Sequence, residues 1–146
     1  MRKLKPDVSI YTCEPETAAP LKKSLECGQA SSVERIPSFV DAIGTPEVLP
    51  KVYELLAPIL RDSLVVSLNE IKQALKLLLF NNKMLCEGAA ACSLAAAIQL
   101  AEVGKHKKIA CIISGGNVSA DVLKAVAEAQ SIDDGSKAVL KHQFYQ

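Results

Sequence analysis

The feature that most restricts this chain is the run Ile109-Ala110-Cys111-Ile112-Ile113, which leads into Ser114-Gly115-Gly116-Asn117 and then into a helical pattern over residues 120–129. A continuous apolar run has no polar face to offer water, so a strand built from it is covered on both sides. Such strands belong to parallel sheets, whose neighbours are joined by crossing helices. The same alternation recurs upstream. Residues 7–13 (DVSIYTC) and 63–67 (SLVVS) read as strands, and 83–86 as a short one. Helices are expected over 21–27, closed by Gly28, over 70–80, and over 88–103. The pattern predicts an α/β fold with a mostly parallel sheet flanked by helices.

Two helices carry the clearest local signals. Ser67-Leu68-Asn69-Glu70 has the form of a capping box, and Ile71, Ala74, Leu75 and Leu78 follow at helical spacing. The second, over 88–103, is so rich in alanine that it can lie close to its neighbours and bury more than one face. Between them and the N-terminal strand, residues 29–50 show no period and contain Pro37, Gly44, Pro46 and Pro50. Long irregular segments inside compact domains tend to be functional. Residues 52–60 are apolar but interrupted by Pro58, which leaves their type open.

With 146 residues the chain is the size of one compact domain with a single core. Only 4% of residues are aromatic against 49% hydrophobic, so that core must come from Ala, Val, Leu and Ile. A net charge of +1 with mixed signs excludes nucleic acid as the main partner, because phosphate recognition needs a basic excess. The longest apolar stretch, 88–100, is broken by Ser93 and Gln99 and is too short to span a bilayer. No apolar segment follows the basic residues 1–6, so a cytoplasmic location is expected. Five cysteines without a C-x-x-C pair predict buried free thiols in a reducing compartment. From residue 131 the sequence turns polar and reads as a tail, with Phe144 and Tyr145 able to dock.

Several residues could carry chemistry. Gly115 and Gly116 permit close backbone approach, and Ser114 at the strand end could present its hydroxyl to a ligand. Taken alone the tetrapeptide is more often a plain strand-to-helix turn. Glu87 opens the alanine-rich helix, where the helix dipole favours a carboxylate. It either serves that dipole or faces the ligand of Ser114. Glu14-Pro15-Glu16-Thr17-Ala18-Ala19-Pro20 offers oxygens to a hard cation, or is a solvated loop. Asp41 could pin the irregular segment or face the site. His106 and His142 lack the partners of a catalytic triad.

Five segments in order, KPDVSIYTCEPETAAPL, PSFVDAIGTPEVLP, SLNEIKQALKLL, KMLCEGAAACSLAAA and KKIACIISGGNVS, resemble the threonine/serine dehydratases of the fold-type II pyridoxal-phosphate (PLP) enzymes, a group that includes serine racemases. The resemblance runs from about Lys5 to Ser119. It implies that residues 1–130 correspond to the C-terminal part of a PLP-dependent catalytic domain, a partial large domain, with 131–146 a polar tail. It implies deamination of threonine or serine to a 2-keto acid.

By position, Ser114 matches the serine that hydrogen-bonds the pyridine nitrogen of PLP, and Gly115, Gly116 and Asn117 complete its turn. A neutral hydroxyl there leaves the ring nitrogen unprotonated, a weaker electron sink that suits β-elimination. Glu87 matches a glutamate beside the cofactor, and Asp41 an aspartate of the irregular segment. Glu14 and Ala18 match a side-chain oxygen and a carbonyl that hold a divalent cation in metal-dependent members. Pro20 stands where those members have an acid, and Ala42 where the family has glycine. No lysine here stands in a Ser/Thr-Phe-Lys-x-Arg setting, so the resemblance gives this chain no Schiff-base lysine and no catalytic residue. The glycine-rich phosphate loop is likewise not matched. The implied partners are an N-terminal half, an intact paralogue or a second copy, and activity alone is not expected.

Overall fold

The computed structural model describes residues 4–104, 106 and 108–128. The element order is β1 (Tyr11–Pro15), α1 (Pro20–Cys27), α2 (Pro50–Leu56), β2 (Asp62–Val66), α3 (Leu68–Phe80), α4 (Gly88–Glu102) and α5 (Ala120–Glu128). Where length suggests one core, the chain forms two compact units, Met1–Ser67 and Leu68–Gln146. The polar tail expected over 131–146, with His142, Phe144 and Tyr145, lies outside the described residues.

In the first unit β1 and β2 pair in parallel, with Tyr11 opposite Asp62 and Pro15 opposite Val66. Parallel partners need a long crossover, and α1, the irregular segment and α2 supply it. The first strand begins later than expected: its ladder starts at Tyr11 opposite Asp62, and residues 7–9 are exposed. It runs into Pro15, which a strand tolerates at its end. α1 starts on Pro20, whose fixed φ suits the first helical position, and ends at Gly28 in the left-handed region with φ 73°. The Gly28 N–H returns to the Ser24 carbonyl.

The irregular segment is ordered by specific bonds. Ser32 and Glu47 form an antiparallel bridge. The Val33 N–H donates to the Pro46 carbonyl at 2.8 Å, and the Ile36 N–H donates to the Thr17 carbonyl at 2.9 Å. Val40 is buried, and Gly44 takes φ 80° where an added Cβ would crowd Ala18 and Pro15 at 3.3 Å. Beyond it, α2 settles the open reading of residues 52–60: Ala57 still has helical angles and bonds the Tyr53 carbonyl, and the helix stops at Pro58, which has no N–H to continue the ladder. It buries none of its own residues.

The second unit is helical among its described residues. α3 buries Ile71, Ala74, Leu75 and Leu78, the four positions picked out by their period. α4 buries Ala90, Ala91, Cys92, Ala95, Ala96, Ala97 and Ala101, a wide face of small side chains that lets α3 approach closely. Gln99 Nε2 of α4 donates to Glu70 Oε1 of α3 at 2.7 Å. α5 packs on α3 through its buried Val126.

Two expected strands are not formed. Residues 83–86 and 109–113 carry no ladder, and Ile112 is 80% exposed. A strand exists only where a neighbour completes its hydrogen bonds, and among the described residues neither segment has one. The second instead lies along α4, with Ser93 Oγ donating to the Ile112 carbonyl at 2.9 Å. The cysteines also differ from expectation. Cys86 and Cys92 are buried, Cys13 and Cys111 are half-buried, and Cys27 is exposed at the end of α1. No helix among the described residues is long and apolar enough to cross a membrane.

Candidate cofactor-binding turn

The second unit gathers Glu87 and the Ser114–Asn117 turn. Glu87 occupies the N-cap of α4 in an extended conformation, with its carbonyl accepting the Ala91 N–H at 3.1 Å. Its side chain makes no bond to its own helix. Oε2 instead accepts the Asn117 N–H at 3.1 Å. The backbone completes the pairing, because the Glu87 N–H donates to the Gly115 carbonyl at 3.2 Å. The turn is thus held at two points by one residue.

That closeness explains the glycines better than backbone freedom does. A Cβ at Gly115 would fall 2.7 Å from Glu87 Cδ, and one at Gly116 would lie 3.4 Å from the Leu85 carbonyl oxygen. No methyl fits at Gly115 without displacing the carboxylate. The turn closes with the Val118 N–H on the Gly116 carbonyl at 2.9 Å. Ser119 then caps α5, its Oγ accepting the Val122 N–H at 3.4 Å. Ser114 is left exposed with its hydroxyl available, and Asn117 is exposed beside it. Next to the clamp the Cys86 thiol is buried. Burial, and secondarily the charge of Glu87, pushes its pKa up.

Glu14, Ala18 and Asp41 belong to the first unit. Glu14 Oε1 accepts the Leu21 N–H at 2.9 Å, and Oε2 accepts the Lys22 N–H at 2.8 Å. Ser63 Oγ adds a third bond to Oε2 at 2.9 Å. Asp41 is exposed, and its carbonyl rather than its carboxylate accepts from Arg35 Nη2 at 3.2 Å. Ala42 carries no positive φ; Lys83, with φ 58°, is the one non-glycine residue that does among the described residues. The alanine that replaces the family glycine therefore meets no left-handed strain here. Ser63 and the pairing of Lys22 with Asp62 at 3.0 Å escaped the sequence reading, since no local pattern links residues so far apart.

A family model described as pyridoxal-phosphate dependent enzyme matches residues 1–115. The chain belongs to that family. Among curated relatives of this PLP family, the L-threonine ammonia-lyase of Thermotoga maritima is 28% identical over 141 residues, covering 97% of this chain and 35% of the relative. The chain therefore spans about a third of the length of the curated relatives it matches. Among solved structures, the threonine deaminase of T.th. superposes with a TM-score of 0.74 at 28% identity, over 81% of this chain and 43% of that one. Serine racemase from Dictyostelium discoideum gives 0.71 at 28% identity, over 81% and 38%. Within the PLP family the chain is similar to threonine dehydratases and shares the α/β fold of those enzymes in part.

The residues present fit that cofactor. An exposed serine hydroxyl stands on a turn whose neighbour cannot carry a side chain, and a carboxylate that reaches the turn fixes its backbone. The turn therefore offers a hydroxyl to a hydrogen-bond acceptor from a backbone that Glu87 already holds.

Proposed function

We propose that this chain is part of a PLP-dependent L-threonine/L-serine dehydratase, an ammonia-lyase that releases a 2-keto acid. The observation that carries the reading is the Glu87 clamp on Asn117 and Gly115, which leaves Ser114 exposed. PLP, when bound, supplies the electron sink for loss of the β-hydroxyl. Ser114 would hold the ring nitrogen by a hydrogen bond without giving it a full proton. Gly115 and Gly116 leave room for the Glu87 carboxylate and the Leu85 carbonyl against the turn, and Asn117 is fixed through its N–H. Glu87 acts through the turn as a positioning residue.

No lysine of this chain follows a phenylalanine, so the amine that carries PLP covalently is assigned to the part of the relatives' length that this chain does not span, as is the phosphate loop. By itself the chain then releases no keto acid. The test mixes it with a separately made N-terminal half carrying that lysine. PLP absorbance retained through gel filtration and keto acid formed from threonine or serine are expected, both weakened by Ser114→Ala. A mixture that shows neither sinks the reading.

A second reading rests on α2, which buries none of its residues and exposes Leu49, Val52 and Leu55. An open groove of about 560 Å³ beside it is lined mainly by Leu21, Pro46, Val48, Leu49, Val52 and Leu56. On this reading the chain is a non-catalytic module that binds an intact paralogue. Co-elution with an intact dehydratase, lost on Leu55→Asp, supports it, and persistent monomeric behaviour removes it.

A further inference from the structure

We infer that Glu14 is the internal counter-charge of the α1 N-terminus and not a cation ligand, so that residues 14–20 are held by this chain's own groups. The inference concerns the first unit and goes beyond the cofactor reading. The family resemblance implies a divalent ion on the Glu14 carboxylate and the Ala18 carbonyl. The donor set of this chain does not fit one.

Three hydrogen-bond donors converge on the Glu14 carboxylate: the N–H groups of Leu21 and Lys22, at 2.9 and 2.8 Å, and the Ser63 hydroxyl, at 2.9 Å. Those N–H groups are the free donors of the first turn of α1, where the helix carries its positive end. A cation on the same oxygens would face these protons and the dipole behind them. The neighbouring acid is engaged as well. Asp62 receives the Lys22 ammonium on both oxygens, at 3.0 and 3.1 Å, and the Ser63 N–H on Oδ1 at 2.8 Å.

Pro20 completes the exchange. It removes the acid that metal-dependent members carry and places at the first helical position a residue that starts a helix well. A position that would have ligated an ion now fixes the helix whose N-terminus occupies Glu14.

The test needs no PLP, so its failure is separate from failure of the proposed function. Thermal unfolding of the full chain is followed after EDTA treatment and then with millimolar Mg²⁺, Ca²⁺ or Mn²⁺. The expected midpoint is the same in all conditions. Glu14→Ala should lower it by on the order of 5 °C, as loss of a helix cap does in a small unit. Glu14→Gln, which keeps one acceptor oxygen, should lower it less, and Ser63→Ala remains usable if Glu14→Ala does not fold. A saturable rise with any of the ions in wild type that vanishes in Glu14→Gln overturns the inference. A rise that persists in Glu14→Gln places the ion elsewhere and upholds it.

Discussion

Glu87 and Asn117 meet across the turn, the carboxylate of the α4 N-cap accepting the Asn117 N–H at 3.1 Å instead of capping its own helix. The same side chain fills the space a Cβ would need at Gly115. The two residues are therefore coupled, and the coupling is measurable. Gly115→Ala displaces the far end of a flexible side chain and should cost about 1 kcal/mol, chiefly the lost Glu87–Asn117 bond. In a Glu87→Ala background the methyl finds room, so the same change should cost much less, with an interaction energy on the order of 1 kcal/mol. Urea unfolding of the four proteins gives the cycle. Additive costs would mean that Glu87 does not hold the turn.

Lys83, three residues past the end of α3, lies in the left-handed region with φ 58°, and the following Met84 N–H returns to the Leu78 carbonyl at 2.9 Å. Glycine normally takes that position because it has no Cβ to strain. The Lys83 ammonium returns something by bonding the Phe80 carbonyl at 2.7 Å, but it is exposed. Lys83→Gly should raise stability by about 0.5–1 kcal/mol, since left-handed backbone costs a side-chain residue roughly 1–2 kcal/mol. The urea midpoint should rise at constant slope. A lower midpoint would show that the lysine bond outweighs the strain.

Helix faces were legible in the sequence because their period is local: Ile71, Ala74, Leu75 and Leu78 had only to be counted, and all four are buried. The pairing of β1 with β2 was less so, because Tyr11 and Asp62 meet through a crossover that no local rule fixes. Residues 109–113 show the limit of composition. Apolarity there reports a segment that would be stabilised by cover, while Ile112 lies open because a ladder also needs a neighbour. The Ser114–Asn117 turn was visible from its glycines. The way Glu87 serves it was not, since a first-turn acid is ordinarily read as a partner of its own helix. Ser63 gave no signal at all: a strand serine becomes a donor to Glu14 only once β1 and β2 lie side by side.

The thiols separate by burial. Cys27 is exposed, while Cys86 and Cys92 are buried. Alkylation of the folded chain at neutral pH should label Cys27 first, read by peptide mapping, and labelling of Cys86 at an equal rate would contradict the packing. Burial raises the pKa of Cys86 and Cys111, with Glu87 adding to the effect on Cys86. A raised thiol pKa means that the folded chain holds its proton more firmly than the unfolded chain does. This stabilisation is fully present below the ordinary thiol range and is lost as pH rises through it towards the raised values. Unfolding free energy should therefore fall on the alkaline side, and less steeply in Cys86→Ala than in wild type. A curve flat through the thiol range would exclude the mechanism.

The alanine face of α4 gives the sharpest packing test. Ala91 is fully buried, whereas Ala89, two residues earlier on the same helix, is only half-buried. Both lie in the same turn, so helix propensity affects Ala91→Leu and Ala89→Leu alike and packing alone separates them. A leucine at 91 adds three carbons where close approach leaves no space, and a cost of about 1–3 kcal/mol or more is expected from overpacking. At 89 the added carbons can turn towards solvent, and the change should stay within about 0.5 kcal/mol, as surface substitutions do. Equal costs at the two positions would mean that small side chains are not what brings α4 close to its neighbours.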